Sequence, residues 1–319
     1  MDVGFMRRHA FTIDAEDWPQ LMCGYLGRDI TLSGQFAASI SRALSLLDSL
    51  RTHATFFVVA PHAAQDPGIV REIAARGHEV ATHGAAHVKM RNFSPQAFRE
   101  DLRRSIDALE KITGERVRGY RAPFFSMMPS QSWAWEVMSE CGLDYDSSLT
   151  TLLWQNEGIS LPDGAFTCRL PGGAEIVEVP ALARKVGLLT GRLIGGRTLR
   201  VLSRSVTHSH MEEREASGVP AMLYVHSYEI TPDRLMRYLP DGLSLGERAK
   251  LFVSAKAFEV GMGRMSQALA DLGERYHWAP MREVVDDLRN EAQLPEVTLS
   301  SDGRVRVATT SDLLAAGRQ

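Results

Sequence analysis

The chain has 319 residues, 44% of them hydrophobic and 24% charged, with a formal net charge of −3 at pH 7. That is the balance of a globular protein of one large barrel or two ordinary domains. It argues against a general nucleic-acid binder, which needs a basic surface to displace counterions. Three cysteines, Cys23, Cys141 and Cys168, form no CxxC pair and are odd in number, so buried reduced thiols are expected rather than a thiolate metal site or a disulfide framework.

The opening MDVGFMRRHAFTIDAED has no apolar run of signal-peptide length, and no stretch of about 18 apolar residues occurs anywhere, so no spanning helix and a cytoplasmic location are expected. His9–Ile13 reads as a short strand ending at Asp14, and Phe36–Leu50 as a helix with Ile40, Leu44 and Leu47 on one face. Ala54–Val59 is a continuous β-prone run, the mark of a strand buried on both faces. Pro67–Arg76 is a helix closed by Gly77, and Glu79–Thr82 a strand ending at His83. Ser94-Pro95 opens a helix to about Ile112, with Ser as N-cap and Pro at the first helical position. Val117–Arg121 is a strand, Ser130–Cys141 a helix, and Ile176–Val179 and Met222–Val225 are strands. A single helix is expected from about Ser254 to Tyr276, leading into Trp278-Ala-Pro-Met281.

Strands alternating with helices predict parallel βαβ units. The polar residues Asp14, His83, Arg121 and His226 each follow an apolar run, and ligands of such sheets bind at the carboxyl ends of strands. Two segments break the alternation. Ala181–Val219 is basic, with Gly195-Gly196 before a helix, and reads as an insertion in a barrel domain of residues 1–290. The tail, residues 291–319, reads as a hairpin of Val297–Leu299 and Arg304–Val307 joined through Ser-Ser-Asp-Gly.

His83-Gly-Ala-Ala-His87 spaces two imidazoles for one face of a helical turn, from which both can reach one cation. Chance HxxxH pairs are common, but this one follows a buried strand. Asp14-Ala-Glu16-Asp17-Trp18 gathers three carboxylates that repel one another unless a cation or proton intervenes; in isolation it reads first as a solvated acidic loop. Carboxylate oxygen with two imidazoles suits zinc or another first-row divalent ion with open positions. Arg121-Ala-Pro-Phe-Phe125 sets an arginine at a strand end, able to clamp a carboxylate or to pair with a surface acid. His226 ends the apolar Leu223-Tyr-Val and by itself could be structural; Tyr145-Asp146-Ser-Ser148 by itself says little.

In this order the motifs resemble those of the NodB-type polysaccharide deacetylases. TIDAED is similar to the first motif of that family, ATFF to its second-strand signature, HGAAH to its metal motif, RAPFF to its arginine–proline motif and LYVH to its last. GERVRGYRAPFFS, LDYDSSL, Gly195-Gly196 and WAPMREVV are similar to the exosortase-associated branch, whose first motif reads DVED, and the resemblance runs from about residue 9 to 288. It implies a distorted (β/α) barrel of about seven strands, a divalent ion, most simply Zn²⁺, and hydrolysis of the N-acetyl amide of an amino sugar. Asp14 would be the general base, His83 and His87 metal ligands, Arg121 the group orienting Asp14, His226 the general acid and Asp146 its partner. Ala15 stands where the family places its metal-binding aspartate, so the third ligand would be Glu16 or Asp17, with Asp17 preferred for its shorter side chain.

Trp18, Phe124, Phe125 and Trp154 could stack on a sugar ring or pack the barrel mouth, and Met127 and Met128 could line or plug the pocket. A backbone N–H near Phe124 would join the metal in holding the oxyanion. The substrate is expected to be an N-acetylated glycan or a lipid-linked precursor at the inner membrane face; the basic segment Arg192–Arg204 reads first as a solvated helix face, and otherwise as a segment able to touch anionic lipid or a pyrophosphate. The alternatives are hydrolysis of another amide or a cyclic ureide on the same barrel, and a silent carbohydrate-binding relative.

Overall fold

The computed structural model describes residues 7–26, 34–186, 189–192, 194–230, 234–239, 241–291 and 294–307. The strands are β1 (Arg8–Ala15), β2 (Thr55–Val58), β3 (Glu79–Thr82), β4 (Gly119–Tyr120), β5 (Tyr145–Asp146), β6 (Phe166–Arg169), β7 (Glu175–Glu178), β8 (Ala183–Val186), β9 (Leu189–Arg192), β10 (Met222–His226), β11 (His277–Ala279), β12 (Glu296–Leu299) and β13 (Val305–Val307). The order β10-β1-β2-β3-β4-β5-β7 is parallel throughout. These seven strands form the (β/α) barrel. Beside them β11 pairs in parallel with β1, β6 antiparallel with β7, and β12 in parallel with β6.

The helices follow the pattern of apolar residues. Pro95–Thr113 begins where the Ser94 hydroxyl accepts the Ala97 N–H at 3.2 Å and ends at Gly114, whose φ of 73° lies in the left-handed region. Between these caps it buries Phe98, Leu102, Ile106 and Leu109 against the barrel. All four residues of β2 are buried, as a strand covered on both faces requires.

The expected helix over 254–276 is instead two helices, Leu245–Glu259 and Met265–Arg275. They part at Gly261, where φ is 74° and a Cβ would meet the Arg200 carbonyl oxygen at 2.3 Å. The expected strand 117–121 pairs only over Gly119–Tyr120. The segment 181–219 carries the β8–β9 pair and the helices Gly196–Val201 and Arg204–Ser217. At the tail β12 and β13 do form a hairpin, and Thr167 N–H bonds the Pro295 carbonyl at 2.9 Å, so the hairpin extends the barrel sheet. Cys141 and Cys168 are free thiols; the side chain of Cys23 and residues 308–319 lie outside what is described. No described helix is long and apolar enough to cross a membrane.

Candidate active site

Parallel pairing gathers the polar residues. Asp14 and His226 are register partners on β1 and β10, His83 follows β3 and Arg121 follows β4. All open onto one cavity of about 740 Å³ or brace its floor; Asp14, Glu16, His83, His87, His226 and Glu229 line it, with Phe124 and Tyr224 on its walls and Lys89 and Arg197 also lining it.

Asp14 is fixed from behind. Arg121 Nη1 donates to its Oδ1 at 2.7 Å, and its Oδ2 lies 3.8 Å from His83 Nε2. Arg121 is fully buried, donates to Ser147 O and Oγ at 3.3 and 3.1 Å, and lies over the Phe57 ring at 4.0 Å. A buried guanidinium paired and flanked this way is a rigid support.

The HGAAH segment is not a helical turn. Gly84 has φ of 81° and His87 of 50°, and the loop is pinned from beneath by Asp101, which accepts Ala85 N–H at 2.9 Å and Ala86 N–H at 2.8 Å. The loop nonetheless sets the His83 and His87 rings 5.2 Å apart. His83 Nδ1 meets the Arg121 carbonyl at 2.8 Å; with that nitrogen donating, Nε2 carries its lone pair toward the acids. Burial, with His87 close by, pushes the His83 imidazole down to about 3, so the ring is neutral, as a ligand must be.

Glu16 completes the donor set, correcting the preference for Asp17. Its Oε2 lies 3.9 Å from His83 Nε2 and in contact with His87 Nε2. One ligand atom from each of Glu16, His83 and His87 lies within 4.8 Å of the others. Burial alone would raise the Glu16 carboxyl, but His87, His226 and His83 hold it below the usual carboxylate value. Oε2 is nevertheless buried without a directed hydrogen bond among the described residues. Such an oxygen is costly unless a cation meets it, and carboxylate plus two neutral imidazoles fits a first-row divalent ion. Asp17 turns the other way: its carbonyl accepts Leu21 N–H at 3.3 Å and its Oδ1 accepts Gln20 N–H at 3.0 Å, capping the helix Trp18–Leu26.

Asp146 is not the partner of His226. That role falls to Glu229, which sequence reasoning missed: its Oε2 lies 3.0 Å from His226 Nδ1 and accepts the His226 backbone N–H at 2.9 Å. Burial would lower the His226 imidazole, but Glu229, Glu16 and Asp14 together raise it above its ordinary value. Its Nε2 meets the Tyr224 hydroxyl at 2.6 Å and Glu16 Oε1 at 3.4 Å, and the Tyr228 ring stacks on it at 4.7 Å. Glu229 is anchored by buried Arg200, whose Nη2 donates to Oε1 at 2.8 Å and which also reaches the Phe258 and Val260 carbonyls. Gly196 makes room for this, since a Cβ there would lie 2.0 Å from Glu229 Oε2. The signals available were an acid three residues after a strand-end histidine and a glycine pair opening a basic helix. Arg200 is thereby removed from the basic residues expected to touch lipid.

Asp146 lies deeper, paired in register with Glu178 on β7; both carboxylates face Trp135 Nε1, at 3.2 and 3.4 Å. It supports the active-site loop indirectly. The Ser148 hydroxyl donates to Asp146 and accepts Ala122 N–H at 2.8 Å.

The aromatic expectations divide. Trp18 and Trp154 are wholly buried, Trp18 against Tyr228 and Leu235, and Trp154 with its Nε1 on the Met127 carbonyl at 2.8 Å. Phe125 is buried too, edge-on to Tyr224 at 4.8 Å and facing Arg121 at 4.9 Å. None of the three can stack on a sugar. Phe124 does reach the cavity, its ring 5.4 Å from that of His87. Met127 is buried. Phe124 and Phe125 have φ of 65° and 51°, and two successive non-glycine residues in the left-handed region cost about 1–3 kcal/mol each.

The chain is thus an α/β barrel of the NodB fold type, with a carboxylate–arginine pair, a Glu/His/His cluster and a carboxylate-held histidine at its strand ends. Residues 31–145 match the polysaccharide deacetylase family model, and residues 147–286 match a domain of unknown function, DUF3473. The first match spans a little over a third of the chain and the second most of the rest. It is 28% identical over 95 residues to a peptidoglycan-N-acetylglucosamine deacetylase of Bacillus cereus, covering 28% of this chain and 34% of that protein. It is 30% identical over 144 residues to a chitooligosaccharide deacetylase of Rhizobium leguminosarum bv. trifolii, covering 42% of this chain and 62% of that one. The chain thus spans less than two thirds of either relative. Among solved structures, a candidate polysaccharide deacetylase from Mycobacterium smegmatis superposes with a TM-score of 0.61 at 20% identity, covering 92% of this chain and 94% of that one. Puue allantoinase superposes at 0.56 with 16% identity, covering 88% and 89%. At those identities the likeness is one of fold.

Proposed function

We propose that this protein removes the acetyl group from an N-acetylated amino sugar in an oligo- or polysaccharide, or in a lipid-linked precursor, releasing acetate. The observation that carries the reading is the convergence of Asp14, Glu16, His83, His87 and His226 on one cavity. The relatives matched in sequence are named for deacetylation of N-acetylglucosamine-containing peptidoglycan and of chitooligosaccharides, which favours acetamido sugars over ureides.

Glu16 Oε2 and the Nε2 atoms of His83 and His87 would hold a divalent ion, which we take to be zinc. When bound, it would polarise the amide carbonyl and bring the pKa of water toward about 7. Asp14 Oδ2 takes the proton from the attacking water, while Arg121 keeps Oδ1 occupied so that the other oxygen faces the substrate. His226 gives its Nε2 proton to the amine nitrogen as the C–N bond breaks, and Glu229 at Nδ1 keeps the ring charged until then. The strained backbone at Phe124 is assigned to the oxyanion and the Phe124 ring to the apolar face of the sugar.

The test measures acetate release from N-acetylglucosamine oligomers by zinc-loaded protein, alongside allantoin and hydantoin. Asp14→Asn and His226→Ala should each lower kcat by about 10²- to 10⁴-fold while zinc content stays at the wild-type level. Turnover of a cyclic ureide with no acetate release would overturn the reading.

A further inference from the structure

Helix Leu245–Glu259 carries its apolar residues on two opposite sides. Leu251 and Ala255 are buried toward the protein. Leu245, Ala249 and Val253, spaced four apart, form a stripe on the opposite face, with Phe252 beside it and Val260 just beyond the helix end. Leu245 is 88% exposed, Val253 69% and Phe252 50%. Six large hydrophobic side chains are exposed among the described residues; five of them, Val201, Leu245, Phe252, Val253 and Val260, lie on this segment or on the helix Gly196–Val201. Single exposed apolar residues are ordinary, but a patch of them marks a contact surface.

The charges around the patch select the partner. Arg197, Arg248, Lys250 and Lys256 are exposed on these segments, and Arg204 is exposed at the start of the next helix. The helix's acids are half-buried and engaged. Glu247 closes a capping box on Ser244, and Glu259 accepts Leu235 N–H at 3.0 Å and Lys256 Nζ at 2.7 Å. Asp241, in the preceding loop, is the exposed acid nearest in sequence. Val201 and Val260 also line the catalytic cavity, so the patch runs up to its mouth. Apolar side chains flanked by cations in a protein of net charge −3 are the composition of an interfacial helix on anionic lipid.

We propose that helix Leu245–Glu259 docks the protein on an anionic bilayer, with Leu245, Phe252 and Val253 entering the acyl boundary and Arg248 and Lys250 on the headgroup phosphates. The mouth of the catalytic cavity then faces the lipid surface. The proposal stands apart from the deacetylase reading, because its test measures binding rather than turnover.

The full chain is sedimented with phosphatidylcholine vesicles, pure or containing about 30% phosphatidylglycerol. Wild type should partition onto the anionic vesicles at least about tenfold better, and less so in high salt. Phe252→Ser/Val253→Ser, with Leu245→Ser as a second variant, should lose about tenfold of that binding at unchanged melting temperature. Arg248→Glu/Lys250→Glu should abolish the preference for anionic lipid. Equal partitioning of wild type and the serine variants would overturn the proposal. So would a wild-type dimer in sedimentation velocity that ignores vesicles and that Phe252→Ser/Val253→Ser dissociates, since the stripe would then be a self-interface.

Discussion

Glu16 and Asp17 are adjacent acids with opposite fates. Leaving β1, the chain turns at once into the helix Trp18–Leu26, whose first N–H groups need an acceptor, and Asp17 supplies it. Glu16, one residue earlier, points into the cavity. Glu16→Ala should therefore weaken zinc binding by at least about tenfold in a chelator competition. Asp17→Ala should leave zinc affinity close to wild type and cost about 1 kcal/mol of stability through the lost cap. Residue type alone favoured the shorter aspartate; only the capping demand of the following helix decides between them. Glu229 was hidden for a different reason. Asp146 had a strand-end position and a motif, but it is sealed beneath the loop with Glu178. Glu229→Gln should keep the hydrogen bond to His226 yet remove the charge that keeps the ring protonated, lowering kcat by about 10- to 100-fold with little change in KM.

At the scale of elements, strand ends were the most legible feature. Asp14, His83, Arg121 and His226 could be placed because each follows a run of apolar residues, and parallel pairing does the rest. Less legible was what depends on distant backbone. The four-residue spacing of its histidines predicts a helical turn at HGAAH, whereas Asp101, on the helix Pro95–Thr113, holds it as a loop. The break at Gly261 depends on the Arg200 carbonyl, which no local periodicity reports. Gly196 gives a test at this scale. Glycine to alanine ordinarily favours a helix by about 0.5–1 kcal/mol, but here the new methyl group would displace the Glu229 carboxylate. Gly196→Ala should thus reproduce the kcat loss of Glu229→Gln, with zinc content unchanged by metal analysis.

For the whole molecule, the buried pair of Asp146 and Glu178 links stability to pH. Burial pushes Asp146 up to about 6, and burial together with the neighbouring Asp146 raises Glu178 well above its ordinary value. In the unfolded chain both carboxyls ionise near pH 4. The folded protein then holds more protons than the unfolded one above that pH, so this contribution to stability is intact below about pH 4 and is lost as pH rises through 6 and beyond. Glu178→Gln supplies a permanent N–H donor toward Asp146, and its amide oxygen can still accept from Leu149. The melting temperature of the variant relative to wild type should therefore rise between pH 5 and pH 8; a flat difference would mean that the pair shares no proton. The same sheet ties the two proton-transfer groups together, because Asp14 and His226 are rungs of a single ladder between β1 and β10. Successive side chains alternate between the two faces, so a one-step slip of either strand would send one of these groups out through the barrel wall. Proton uptake and proton delivery are therefore locked in step by main-chain pairing, and reseating β10 would strand Asp14 without the acid that completes its turnover.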